Sequence, residues 1–251
     1  MPDIQNVPAE PSKETSPLSP RGACEATDPP FDASDRVAAR LRGFGPVGIL
    51  AILIILGANE LFVPLSAILV LIWVRLSRTP WREIGFVRPR SWIGSVIIGI
   101  VFGVALKFAM KAIVMPLLGA PPLNQAYHFL VGNRDALPGM LYAVIVGAGF
   151  GEETVFRGWM FERFGKVFGS SVWARTSIIL VTSVLFGLAH YTNQGLPGVE
   201  QGVITGLVFG TIFAVAGRIF ILMIAHAAFD LTAVAIIYSD LESDVAHLIF
   251  K

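Results

Sequence analysis

After a polar stretch of about 40 residues, the chain becomes a series of apolar runs separated by short polar joints. A membrane helix needs roughly 20 consecutive apolar residues. Residues 45–57 and 61–76 are two shorter runs split by Ala58-Asn59-Glu60, so they read either as one long helix containing Pro64 or as a tight hairpin of two short spans. The flanking charges choose the hairpin. Arg36, Arg40 and Arg42 precede the pair, and Arg75, Arg78, Arg82, Arg88 and Arg90 follow it. Basic residues mark the cytoplasmic side, so both ends lie inside and the chain crosses twice.

Further runs predict spans over 92–118, over 138–164 with Pro138 in a favoured first-turn position, over 172–190, over 199–216, and from Gly217-Arg218 to Tyr238. Residues 81–90, which mix Trp81 and Phe86 with arginines, suit an interfacial loop or short helix. Residues 119–137, with a solvated His128, and 191–198 read as outer loops, and the acidic stretch 240–244 is placed outside. The expected fold class is an all-α polytopic bundle of seven spans, N-terminus in and C-terminus out. The expected organisation is a disordered polar tail (1–40), an N-terminal transmembrane pair with its interfacial segment (41–91) and a membrane-embedded catalytic bundle (92–251). No internal repeat is visible.

Composition agrees. Hydrophobic residues make up 54% and charged residues 15%, against roughly 25% charged in soluble domains. The proline-rich tail is too polar to offset its ordering entropy. A net charge of +1 gives no basic footprint for nucleic acid. The single cysteine, Cys24, excludes a disulfide framework and a Cys-based metal site. No cleavable signal is visible, so the first apolar helix is expected to act as an uncleaved anchor. These features predict a multi-pass protein of a cell's inner membrane, in contact with lipid.

Within the apolar runs sit three charged or imidazole-bearing motifs: Glu152-Glu153-x-x-x-Arg157, Phe186-x-x-x-His190 and His226-x-x-x-Asp230. Such groups cost about 2.5–3.5 kcal/mol each at a helix centre, so they rarely lie there without a partner or a task. Glu153 and Arg157 share a helix face and can form an ion pair. Glu152, rotated about 100° from Glu153, can point elsewhere. Two carboxylates in unequal environments suit general acid–base work, with Glu152 as the base and Glu153–Arg157 as its support. Asp230 can fix the tautomer of His226, one turn away. His226 and His190 then become oxyanion donors or metal ligands, with Phe186 walling the same face. Glu152, His190 and His226 resemble a catalytic zinc set with one open position, yet they also suffice for metal-free activation of water. One geometric tension remains. His190 lies about 27 Å along a straight helix from Val172, nearer the outer face than the other two, so convergence needs tilt, a deeper start or a helix break.

In order and residue type, these motifs resemble those of the CPBP family of intramembrane proteases. That family includes the type II CAAX prenyl endopeptidases and the bacteriocin-processing or self-immunity proteins called Abi. The resemblance covers about 138–238, with a weaker echo in Gly85-Phe-Val-Arg88. It implies hydrolysis of a peptide bond in a peptide or protein substrate, lipidated or not, with Glu152, Glu153, His190, His226 and Asp230 at catalytic positions and Arg157 and Phe186 supporting. Asp230 departs from the asparagine of the CAAX proteases, which favours an orienting role toward His226 over oxyanion donation. The residues leave two other classes open: a non-catalytic scaffold or immunity partner, and a proton-coupled transporter using an intramembrane Glu–His relay.

Overall fold

The computed structural model describes residues 33–250; the tail assigned to 1–40 lies outside them as far as residue 32. Residues 33–40 depart from that tail. They belong to helix α1 (Ala33–Arg42), which buries Ala38 and pairs Asp35, in its first turn, with Arg78. Every regular element among the described residues is a helix, with no strand among them.

The two-helix alternative holds for the next segment. α2 (Pro46–Leu61) and α3 (Val63–Leu76) meet at Phe62, whose extended backbone (φ −167°) breaks the helix. Pro64 falls in the first turn of α3, where its missing N–H costs nothing. The Trp73 indole N–H donates to the Leu41 carbonyl at 3.1 Å, bringing the end of α3 back beside the start of α2. Residues Trp81–Ile84 form a short 3-10 turn that buries Ile84. The next residue, Gly85, adopts φ 80°, and its carbonyl accepts from the Ile219 N–H at 3.0 Å.

α4 (Trp92–Ala109), a π-helical turn Met110–Val114 and α5 (Met115–Leu117) form one rod, opened by a Ser91 cap on the Gly94 N–H. The rod runs parallel to the later helix α10 (Phe220–Tyr238). Gly103 makes this possible, because a Cβ there would sit 2.1 Å from the Ala225 carbonyl oxygen. Between them in sequence, α6 (Leu137–Tyr142), a 17-residue π-helix Ala143–Trp159 and α7 (Met160–Phe168) run the opposite way. Gly149 seats this strut against α10, since its Cβ would meet the Met223 carbonyl at 2.9 Å. α8 (Val172–Leu188), capped by Ser171, and α9 (Tyr191–Ala216) form a close hairpin. α11 (Glu242–Ala246) ends the set.

Among the described residues, three spans are long and apolar enough to cross a membrane: Trp92–Leu117, Tyr191–Ala216 and Phe220–Tyr238. α1 with α2, bent by 60°, is a fourth candidate.

One expected outer segment differs from its reading. Residues 191–198 are not a free loop. They are helical on both sides of a break at Gly195 (φ 62°, ψ −156°), two residues before Pro197. A left-handed glycine followed by proline ends a helix locally, while flanking apolar residues continue the span. Within the stretch 240–244, Glu242 is buried (2% exposed) and paired with Lys111 at 2.7 Å. Lys107 and Lys111 both face the bundle interior. Lys107 donates to the Gln201 side chain at 3.1 Å and lies 4.7 Å above the Phe229 ring.

Candidate active site

The π-helix carries the first motif. Its wide register shows where it ends: the Met160 N–H reaches back five residues to the Val155 carbonyl. π-helical segments are rare and concentrate at functional sites. The wider turn separates consecutive side chains by less than the 100° of an α-helix, so Glu152 and Glu153 can both face α10. They do so at different depths. Glu153 is fully buried, while Glu152 lines a cavity of about 960 Å3.

Glu153 is the hub. A single oxygen, Oε1, accepts from Arg157 Nη1 at 2.9 Å and from His226 Nδ1–H at 2.7 Å. The expected ion pair is present and also reaches into the third motif. The structure adds a partner that the spacing of the third motif does not show: Glu153 takes the Nδ1–H of His226. Asp230 lies on the other side of the ring, its Oδ2 3.6 Å from Nε2. The Nε2 edge of His226 is therefore flanked by Asp230 and by Glu152, whose Oε2 is 3.8 Å away. Glu152 Oε2 is buried and has no hydrogen-bond partner among the described residues, nor does Glu153 Oε2.

The second motif arrives by way of the α8–α9 hairpin. A row of glycines at four-residue spacing (198, 202, 206, 210) lets α9 press onto α8. A Cβ at Gly206 would lie 2.9 Å from Ser183 Cα, and one at Gly202 would lie 2.8 Å from Gly187 Cα. His190 sits in the turn before α9, and its Nδ1–H donates to the Phe186 carbonyl at 2.8 Å. Its Nε2 then carries the free lone pair. The tension over depth is resolved by a helix break: α8 stops at Leu188, and the first turn of α9 is offset at Gly195.

Phe186 joins all three motifs. Its ring lies 4.9 Å from that of His190 and 5.9 Å from that of His226, and the Arg157 guanidinium stacks 4.3 Å from its centre. Sequence reasoning did not single out Phe209 or Phe156. Phe209 packs 5.5 Å from His226 and also faces Arg157, and Phe156 lies 5.0 Å from Phe186. Phe209 could have been found from the glycine row, since it precedes Gly210 on the helix those glycines seat. Nothing in its local sequence marks Phe156 apart from its place inside the first motif.

Glu152, His190, His226 and Asp230 all line the cavity, whereas Glu153 and Arg157 lie behind it. Its mouth is polar, with Asn124, Gln125, Tyr127, Asn193 and Gln194 around it. Burial, then the negative charges of Asp230 and Glu152, push the Tyr127 hydroxyl above its ordinary pKa and keep it a hydrogen-bond donor. The His128 imidazole is exposed on the same loop and takes no part. Among the described residues, no three His, Cys, Asp or Glu side chains are grouped closely enough to hold a metal ion.

The family model described as type II CAAX prenyl endopeptidase Rce1-like matches residues 134–232. That segment holds every motif residue, so the resemblance to this protease family, drawn first from the motifs, extends over the whole stretch from α6 into α10. No curated protein and no solved structure matches the chain.

Proposed function

We propose that the chain is an intramembrane endopeptidase in which Glu152 activates water against a peptide carbonyl. The observation that carries this reading is the buried, unpartnered Glu152 Oε2 on the wall of a large cavity, 3.8 Å from an imidazole edge. Glu152 takes a proton from water, and the resulting hydroxide adds to the carbonyl carbon. His226, protonated on both ring nitrogens, donates its Nδ1–H to Glu153 and turns its Nε2–H to where the oxyanion forms, offsetting its charge. Collapse of the tetrahedral intermediate breaks the C–N bond, and the proton held by Glu152 passes to the departing amine. His190, with its lone pair at Nε2, accepts from the attacking water or from the amide N–H. Glu153, backed by Arg157, holds the protonated His226 ring in place, and Asp230 restrains the Nε2 edge.

In this reading the bundle has seven spans, with the N-terminus in the cytoplasm and the C-terminus outside. The α2–α3 hairpin and the segment up to residue 91 buttress the catalytic bundle of 92–251. Support comes from the alternating direction of successive helices and from the gathering of arginines at one end. The substrate is a peptide near the membrane.

The test is cleavage of a quenched fluorescent peptide ending in a CAAX-type sequence by purified protein in detergent. Wild type should turn over. Glu152→Gln should fall by about 10²–10⁴ with an unchanged melting temperature. Equal activity in the two proteins would end this reading.

A further inference from the structure

Two lysines, one turn apart on the rod that begins with α4, line the cavity, and only one of them is paired. Lys111 gives its ammonium to Glu242 at 2.7 Å, and the same carboxylate accepts from the Asn124 N–H at 3.1 Å. Lys107 is buried (8% exposed). Its ammonium donates to the neutral Gln201 side chain at 3.1 Å and faces the Phe229 ring. Among the described residues Lys107 forms no ion pair, although Glu152, Asp230 and Glu242 line the same cavity. Each of those carboxylates is turned to another group: Glu242 to Lys111, and Glu152 and Asp230 to the Nε2 edge of His226, at 3.8 and 3.6 Å.

Taking an ammonium out of water is costly unless a counter-charge and hydrogen bonds replace the solvent. A lysine carries three N–H donors. Gln201 takes one, and a ring face is a weaker partner than a carboxylate. The wall therefore holds an uncompensated positive charge with donors in reserve. Its place relative to the chemistry follows from chain neighbours. Gln201 precedes Gly202, whose Cβ would lie 3.5 Å from His190 Nδ1, and Phe229 precedes Asp230. Lys107 is thus braced by the residues next to two members of the site. The carboxamides of Asn124, Asn193 and Gln194 also line the cavity and suit the donors and acceptors of a peptide backbone. No arginine lines it among the described residues, so the single ammonium matches a monoanion better than a phosphate, which favours the arginine fork.

We propose that Lys107 is a specificity residue: it takes a carboxylate of the bound peptide, from the chain terminus or from an Asp or Glu side chain, and so sets which bond lies against Glu152. The assignment rests on the protease reading. An extended residue spans about 3.3–3.6 Å, so a carboxylate fixed on a buried ammonium fixes the register of the peptide to within one residue.

The test uses the purified full chain in detergent and quenched fluorescent peptides of a single sequence: the C-terminal acid, its C-terminal amide, and amides carrying one Glu at successive positions. With the wild-type chain, the acid or one of the Glu-bearing amides should exceed the plain amide by about 10–100-fold in kcat/KM, with the difference in KM. A faster acid assigns the terminal carboxylate, and a faster Glu-bearing amide assigns the side chain; either supports the proposal. In Lys107→Gln the ratio should fall to about one. Gln201→Glu, which keeps Lys107 but gives it a carboxylate from within the chain, should abolish the ratio too, whereas Lys107→Arg should retain most of it. A wild-type ratio near one for every peptide, or an undiminished ratio in Lys107→Gln, overturns the proposal. If Lys107→Gln does not fold, the Gln201→Glu ratio decides by the same criterion. If the wild-type chain cleaves none of the peptides, anisotropy of the labelled peptides on Glu152→Gln decides instead. Tighter binding of a carboxylate-bearing peptide, lost when Lys107→Gln is added, means that the protease reading falls and the anchor stands. Equal binding of acid and amides overturns both.

Discussion

The arginine-rich end and the cavity end are built from the same helices but solve opposite problems. The first is closed by dense packing. Trp73 meets Trp159 edge to face at 6.4 Å, the Arg163 guanidinium lies 4.5 Å from the Trp73 ring, and Ile84 and Ile219 are fully buried. Three of its connections (43–45, 169–171 and 217–219) are three residues long, and the Ile219 N–H ties the last of them to the Gly85 carbonyl. The second end is held apart by longer connections and polar side chains around empty space. The motif residues lie where the two regimes meet, with Glu153 and Arg157 on the packed side and Glu152, His190 and Asp230 on the open side. A preorganised base needs rigid support behind it and room in front, and the two ends divide those tasks.

Substitutions on each side should therefore differ in kind. The largest expected effect is on turnover, from Glu152→Gln: a loss of about 10²–10⁴ in rate, or roughly 3–5 kcal/mol of transition-state stabilisation, with the melting temperature unmoved. A large fall in melting temperature would place Glu152 among the structural groups. Next, Arg157→Met leaves Glu153 buried and uncompensated, at a cost of about 3–5 kcal/mol. A fall in both melting temperature and activity is expected, read by thermal unfolding in detergent. A stable but inactive protein would show that Arg157 belongs to the open side instead.

These two expectations mark how far the sequence could be read. The helical class, the α2–α3 hairpin and the cluster of motifs were legible because apolar runs and arginine placement act locally, and because intramembrane charge is too costly to be incidental. The Glu153–Arg157 pair follows from spacing alone. Which oxygen His226 binds does not, because it depends on the register of a π-helix against α10, and that register is decided by contacts such as Gly149 on Met223. Burial of Glu242 was illegible for the same reason. Its partners, Lys111 and Asn124, are 131 and 118 residues away in sequence.

Smaller effects sharpen the contrast. Gly103→Ala pushes a methyl group into the Ala225 carbonyl and should cost about 1–3 kcal/mol through overpacking, lowering the melting temperature while the KM of surviving enzyme holds. An unchanged melting temperature would mean that α4 slides freely on α10. Asp230→Asn should retain activity within about tenfold, since an amide oxygen can still accept from the His226 Nε2–H. Inactivity equal to that of His226→Ala would instead require the negative charge. Smallest of all, Lys166→Ala removes a half-exposed ion pair with Glu83 and should change stability by about 1 kcal/mol or less. A larger loss in a salt-dependent melting curve would show that the arginine-rich end depends on its charges more than on its tryptophans.

The Glu242 contact also bears on how the protein is born. Translation supplies Glu242 after every motif residue. Until it emerges, Lys111 lacks its carboxylate, and the strap around Pro122 and Asn124 lacks the anchor that holds it beside α11. A nascent chain can thus have inserted its motif-bearing helices while the rim of the cavity is still unfastened. Assembly is ordered in time, with the reactive interior laid down first and its doorway fitted afterwards.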